Sequence, residues 1–180
     1  MGIHYFYTWL TYRYPLIRRE FTPRAAPVID YLYLDLNGII HRCAKDDSAL
    51  FKDLLCGKRT EEIYVAILNY TNYIISLIKP RKGIMIAVDG VAPRAKMNNQ
   101  RNRRFMAAKS QSSVNEFMLN TLQISPNIVY FKNNSISPGT EFMIQLNKTI
   151  LFFIKRKLLE DLDWRGLEVI FSGGDVPGEG

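Results

Sequence analysis

The chain alternates between stretches whose apolar residues fall at helical spacing and short runs that are apolar almost throughout. Ile63, Ala66, Ile67, Tyr70, Ile74, Leu77 and Ile78 recur on one helical face behind a Thr60 cap, and Pro80 closes the pattern. Phe142, Met143, Leu146, Ile150, Phe153 and Ile154 predict a second helix, its start marked by "SPGT" with Ser137 ahead of Pro138. A shorter helix is predicted over residues 6–17. Between these segments lie "YLYLDL" around Leu34, "GIMIAVD" ending at Asp89 and "LEVIFS" ending at Ser172. The first two are nearly continuous in apolar character, as strands covered on both faces are. A weaker strand is predicted at residues 128–131.

Strands alternating with helices argue for an α/β domain: a mostly parallel sheet flanked by helices, with right-handed crossovers. No internal repeat, low-complexity tract or dividing linker interrupts the sequence, so residues 1–180 are expected to be the N-terminal portion of a single domain. The last residues, "DVPGEG", make a glycine-rich turn directly after a strand, where an α/β domain continues into a helix. The sequence therefore reads as the first piece of something longer.

Charge changes this picture in one direction. With 24 Lys and Arg against 17 Asp and Glu, the formal charge is +7, which favours a polyanionic partner without identifying it. The two cysteines, Cys43 and Cys56, lack metal-type spacing and a disulfide framework, so a reducing intracellular compartment is the simpler reading. The N-terminus "MGIHYF" has neither signal-peptide order nor a myristoylation pattern. The longest apolar run, residues 63–78, contains Asn69 and Asn72 and is too short to span a bilayer comfortably, so no membrane partner is expected.

Three acids stand at or just beyond strand ends: Asp35 in "YLYLDLNG", Asp89 in "IMIAVDG" and Glu179 in "FSGGDVPGEG". Ligands of open α/β sheets collect there. Carboxylates converging at such a place repel one another unless a divalent cation lies between them, and hard oxygen ligands suit magnesium or manganese. The blander reading is that an Asp after a strand caps the next turn or helix and a Glu between glycines is solvated. Just downstream of Asp89, Pro93 opens a predicted helix to about Ser113. On it Lys96, Gln100, Arg103 and Arg104 fall at i, i+4, i+7 and i+8, one face of donors suited to a terminal phosphate carrying two charges. A solvated basic face is the ordinary alternative for such a run.

The blocks "MGI", an aromatic-rich helix ending in "RYP", "LYLDLNGIIH", "AVDGVAPRAKMNNQRNRRF", "SPGTEFM", "WRG" and "FSGGDVPGEG" follow one another in a family order. They closely resemble the N-terminal conserved region of the XRN family of 5′→3′ exoribonucleases, nearer to its cytoplasmic branch than to its nuclear one. The resemblance implies a PIN/FEN-like nuclease core, incomplete at the C-terminal end of this sequence. It implies a magnesium-dependent hydrolase (manganese being an alternative ion) that removes nucleotides one at a time from single-stranded RNA bearing a 5′ monophosphate, by two-metal hydrolysis in the cytoplasm.

By motif position, Asp35, Asp89 and Glu179 correspond to metal-binding catalytic acids. Lys96, Gln100, Arg103 and Arg104 correspond to the pocket for the 5′ phosphate, and His41 to a histidine that stacks on the terminal base. Read without the family, His41 is more often a satisfied helix-end histidine. Family members usually carry Pro and Lys where this chain has His4 and Tyr5, and "FKNNSISPGT" replaces a more typical "FDSNCITPGT". The family's second glutamate would follow Gly180 and its further aspartates lie beyond, so the fragment ending at Gly180 is expected to be inactive by itself. Two rival readings remain at this level: a non-catalytic RNA-binding or scaffold relative, and a structure-specific 5′ DNA nuclease. Nuclear localisation is the alternative to cytoplasmic.

Overall fold

A computed structural model gives the fold for residues 3, 5–18, 27–45, 60–122 and 133–178. Its main elements are helix α1 (Phe6–Arg13), strand β1 (Tyr31–Asp35), helix α2 (Leu36–Lys45), helix α3 (Thr60–Ile78), strand β2 (Gly83–Ala87), helix α4 (Arg94–Leu122), helix α5 (Glu141–Glu160) and strand β3 (Glu168–Ser172). The strands form a parallel sheet in the order β1-β2-β3. In register, Leu32, Ile84 and Val169 make one row across the sheet, and Leu34, Ile86 and Phe171 make another. The fold is thus the α/β arrangement of parallel strands and flanking helices that the alternation of elements implies.

Those two rows are the floor of the core. Above them pack Leu36, Ile39 and Ile40 of α2, Ile63, Ile67 and Ile75 of α3, and Phe142, Met143, Leu146, Ile150 and Ile154 of α5. Apolar burial at helical spacing holds these three helices to one sheet face. Trp164, in a 3₁₀ turn after α5, is 1% exposed and meets the ring of Phe153 edge-on at 5.8 Å. Cys43 is half-buried against this core, whereas Cys56 lies outside the described residues.

Several boundaries differ from the sequence reading. The helix expected over residues 6–17 stops at Arg13, because Pro15 cannot continue the hydrogen-bond ladder, and residues Pro15–Ile17 form a separate 3₁₀ turn. Helix α5 is capped by Thr140, whose side chain accepts the N–H of Met143; Ser137 is not the cap. Ser137 instead begins a turn, its carbonyl accepting the N–H of Thr140 at 3.2 Å across Pro138 and Gly139, the latter at φ 82. Helix α4 runs past Ser113 to Leu122, since no Gly or Pro interrupts residues 94–122. Strand β1 is not covered on both faces: it ends the row of described strands, and Tyr31, Tyr33 and Asp35 are exposed. Residues 128–131, read as a weaker strand, lie outside the described residues.

Candidate active site

Asp35 ends β1 and directly precedes α2, and one of its carboxylate oxygens accepts the N–H of Asn37 at 2.9 Å, as an N-cap does. Its other oxygen makes no hydrogen bond among the described residues. Capping and ligand roles are therefore compatible at this carboxylate. Asn37 then reaches across to the next strand end: its side-chain oxygen accepts the backbone N–H of Asp89 at 3.4 Å. The two acids at neighbouring strand ends are linked through this one asparagine.

The loop after β2 is in turn bound to the loop after β3. The N–H of Gly90 donates to the carbonyl of Gly178 at 3.1 Å, and the N–H of Gly178 donates to the carbonyl of Val91 at 3.1 Å. A Cβ on Gly90 would sit 1.9 Å from the carbonyl oxygen of Val176, so only glycine permits this approach. Glu179 itself lies outside the described residues, but its chain neighbour Gly178 is thus fixed beside the two residues that follow Asp89.

These strand ends open onto a cavity of about 400 Å³, within the range of roughly 300–1,000 Å³ usual for small-ligand sites. Asn37, Gly38 and His41 of α2 and Asp89 and Gly90 of the β2 loop line one part of it. Gln100, Arg103, Arg104 and Ala107 of α4 line another. These four α4 residues fall within about a third of a helical turn of one another, whereas Arg101 points elsewhere and does not line the cavity. Lys96 shares their face and is half-buried, but it is outside the lining. The segment before α5 completes the wall with Asn134, Ile136, Ser137 and Pro138.

The structure therefore brings five of the eight predicted site residues, His41, Asp89, Gln100, Arg103 and Arg104, to one cavity. Asp35 stands outside the lining, coupled to Asp89 by Asn37, and Lys96 lies one turn before Gln100. Sequence reasoning missed Asn37, Asn134 and Ser137. Asn37 had a local signal, the Asp-x-Asn spacing of a capped helix start, whereas Asn134 and Ser137 enter only through tertiary packing. The donor chemistry fits a hard divalent cation, because Asp35 and Asp89 offer carboxylate oxygens with an amide oxygen beside them. Among the described residues no group of three His, Cys, Asp or Glu side chains comes together, so Asp35 and Asp89 would be part of a ligand set.

The chain matches the XRN 5′-3′ exonuclease N-terminus family over residues 1–180. The chain belongs to the XRN family. It is 40% identical over 182 residues to 5′-3′ exoribonuclease 1 of Homo sapiens, an alignment covering 100% of this chain and 10% of that protein. To 5′-3′ exoribonuclease 1 of Schizosaccharomyces pombe it is 42% identical over 181 residues, covering 100% of this chain and 13% of the relative. To 5′-3′ exoribonuclease 2 of Gallus gallus the identity is 37% over 209 residues, covering 100% of this chain and 22% of the relative. Within the XRN family the chain is thus nearer to the exoribonuclease 1 branch, and it spans only 10% and 13% of the two exoribonuclease 1 relatives. None of the described helices is long and apolar enough to cross a membrane.

Proposed function

We propose that the full-length protein is a cytoplasmic 5′→3′ exoribonuclease that removes nucleotides one at a time from RNA carrying a 5′ monophosphate. The observation that carries this reading is the cavity shared by Asp89 and the donor face Gln100, Arg103 and Arg104. Membership of a family whose relatives are named 5′-3′ exoribonucleases supports it.

The α4 face holds the terminal phosphate: Arg103 and Arg104 present forked guanidinium donors and Gln100 a neutral amide, with Lys96 one turn away as a mobile charge. His41, exposed on the α2 part of the wall, offers its ring to the first base. Fixing the phosphate on a rigid helix sets the distance to the next phosphodiester, so one nucleotide is released per cut. A triphosphate or cap is larger and differently charged than this donor set accommodates. Asp35, Asp89 and Glu179 would hold divalent cations, magnesium first and manganese second, which when bound supply a nucleophilic water and stabilise the leaving oxygen.

The test is decay of one single-stranded RNA prepared with a 5′ monophosphate, triphosphate or hydroxyl, with magnesium and with a chelator. Magnesium-dependent loss of the monophosphate form alone is expected. Equal decay of all three forms would overturn the pocket assignment.

A further inference from the structure

Helix α5 buries Met143, Leu146, Ile150 and Ile154 along one stripe. Asn147 stands in the line of that stripe, four residues after Met143 and three before Ile150. Its Oδ1 is buried and accepts no hydrogen bond, and it is the one such side-chain oxygen or nitrogen among the described residues. Buried polar atoms are almost always paired, and an unpaired acceptor in an apolar stripe costs stability, so this amide does not serve packing alone. Its other end faces the site. A Cβ on Gly173 would lie 3.5 Å from Asn147 Nδ2 and 2.5 Å from Asp175 Oδ1, and one on Gly174 would lie 3.4 Å from the same Nδ2 and 3.3 Å from the Asp89 carbonyl oxygen. The donor end of the amide is thus turned to the loop after β3, where a carboxylate and a carbonyl oxygen are the acceptors; turned over, Oδ1 would meet those oxygens like against like. Asn147 and Asp175 are apposed across Gly173 rather than hydrogen-bonded, and the missing Cβ of the glycine leaves the space between them open.

We propose that Asn147 is a positioning residue for the reaction: its amide closes on the Asp175 carboxylate across Gly173, and this latch sets the loop that leads to Glu179 against Asp89. This rests on the exoribonuclease reading above. A neutral amide suits the task, because it donates to a carboxylate without placing a further charge beside acids that would hold cations. Short backbone links carry the effect onward. The N–H of Val176 donates to the carbonyl of Gly173 at 3.0 Å, and Gly178 is bonded to both Gly90 and Val91, so a shift at Asp175 is passed to the residues that follow Asp89. Helix α5 thereby reaches the site from below, through a side chain that touches neither the phosphate pocket nor the cavity wall.

The experiment measures, on the full-length protein, kcat and KM for 5′-monophosphorylated RNA in magnesium, and the melting temperature and RNA affinity without metal. Asn147→Leu keeps the shape of the side chain and removes both the donor and the unpaired acceptor. It should melt no lower than wild type, bind RNA equally well and lose about tenfold in kcat, the scale of one hydrogen bond to a charged group, with KM little changed. A residue that served packing alone would lose stability first. Asp175→Ala, at an exposed position, should lose about as much kcat, and the double variant no more than either single one, because both remove the same contact. Gly173→Ala sets a methyl group 2.5 Å from Asp175 Oδ1, which can swing aside, and should reproduce the loss. If Asn147→Leu melts lower than wild type, the kcat values of Asp175→Ala and Gly173→Ala decide. Wild-type kcat in these variants, or losses that multiply in the double variant, overturn the latch while leaving the exoribonuclease reading intact. A wild-type enzyme that spares monophosphorylated RNA overturns that reading and this one together.

Discussion

Gly90 and Gly178 hold the site together through their backbones: the N–H of Gly90 donates to the carbonyl of Gly178 at 3.1 Å, and no side chain separates the two loops. The loop that carries Asp89 and the loop that leads to Glu179 are thereby one unit. Sheet register alone would not join them, because both loops lie beyond the paired strand residues, which end at Ala87 and Ser172.

Gly90→Ala places a methyl group 1.9 Å from the Val176 carbonyl oxygen and must drive the loops apart. A destabilisation of about 1–3 kcal/mol is expected from overpacking, together with a loss of turnover larger than the loss of RNA affinity. Thermal melting and single-turnover kinetics on the full-length variant check both.

Asp35 separates into two roles by substitution. Asp35→Asn keeps a side-chain oxygen to accept the Asn37 N–H, whereas Asp35→Ala removes the cap and should cost about 1 kcal/mol in stability. Both should abolish cleavage, and Asp89→Ala likewise, with RNA binding largely retained. Activity of Asp35→Asn within about tenfold of wild type, roughly 1.4 kcal/mol on the barrier, would mean that the residue is a cap alone.

Asp30 ties the chain ahead of β1 to that ahead of β2. Hydrogen bonds from Lys82 and then Arg81 hold its carboxyl below the ordinary value of 3.8. A depressed folded pKa means that this contribution to stability is present above the ordinary value and is lost as the pH falls through the lowered one. Asp30→Asn should therefore be less stable than wild type near about pH 6, with the difference shrinking towards about pH 3, as read from urea midpoints across that interval. A difference independent of pH would show that the ion pairs add nothing.

The parts of the fold visible in the sequence are those whose apolar pattern coincides with burial. Ile63, Ile67 and Ile75 of α3 and Leu146, Ile150 and Ile154 of α5 are both periodic and buried. Helix α2 was harder to see, because Gly38 lowers its propensity and its apolar face is carried by few residues, chiefly Leu36, Ile39 and Ile40. Strand β1 looks doubly covered because Tyr31 and Tyr33 count as apolar, yet an aromatic ring with a hydroxyl can remain exposed at a sheet edge. The donor face of α4 was legible from spacing, since a helix converts i, i+4, i+7 and i+8 into one surface. The wall formed by Asn134 and Ser137 was not, because only the turn at Pro138 and Gly139 and the packing of α5 bring it to the same cavity.

The central claim is that one face of α4 selects the 5′ monophosphate. It is tested by measuring kcat/KM for Arg103→Ala, Arg104→Ala and Arg101→Ala on one RNA ended by a monophosphate or a hydroxyl. Arg103 and Arg104 line the cavity and Arg101 does not. The first two variants should lose roughly ten- to a hundredfold on monophosphorylated RNA, with the hydroxyl-ended RNA nearly indifferent. Arg101→Ala should weaken both substrates modestly, through salt-sensitive attraction to the backbone. If Arg101→Ala discriminates between the two ends as strongly as the other two variants, the cavity is not a phosphate pocket and α4 is a general basic surface.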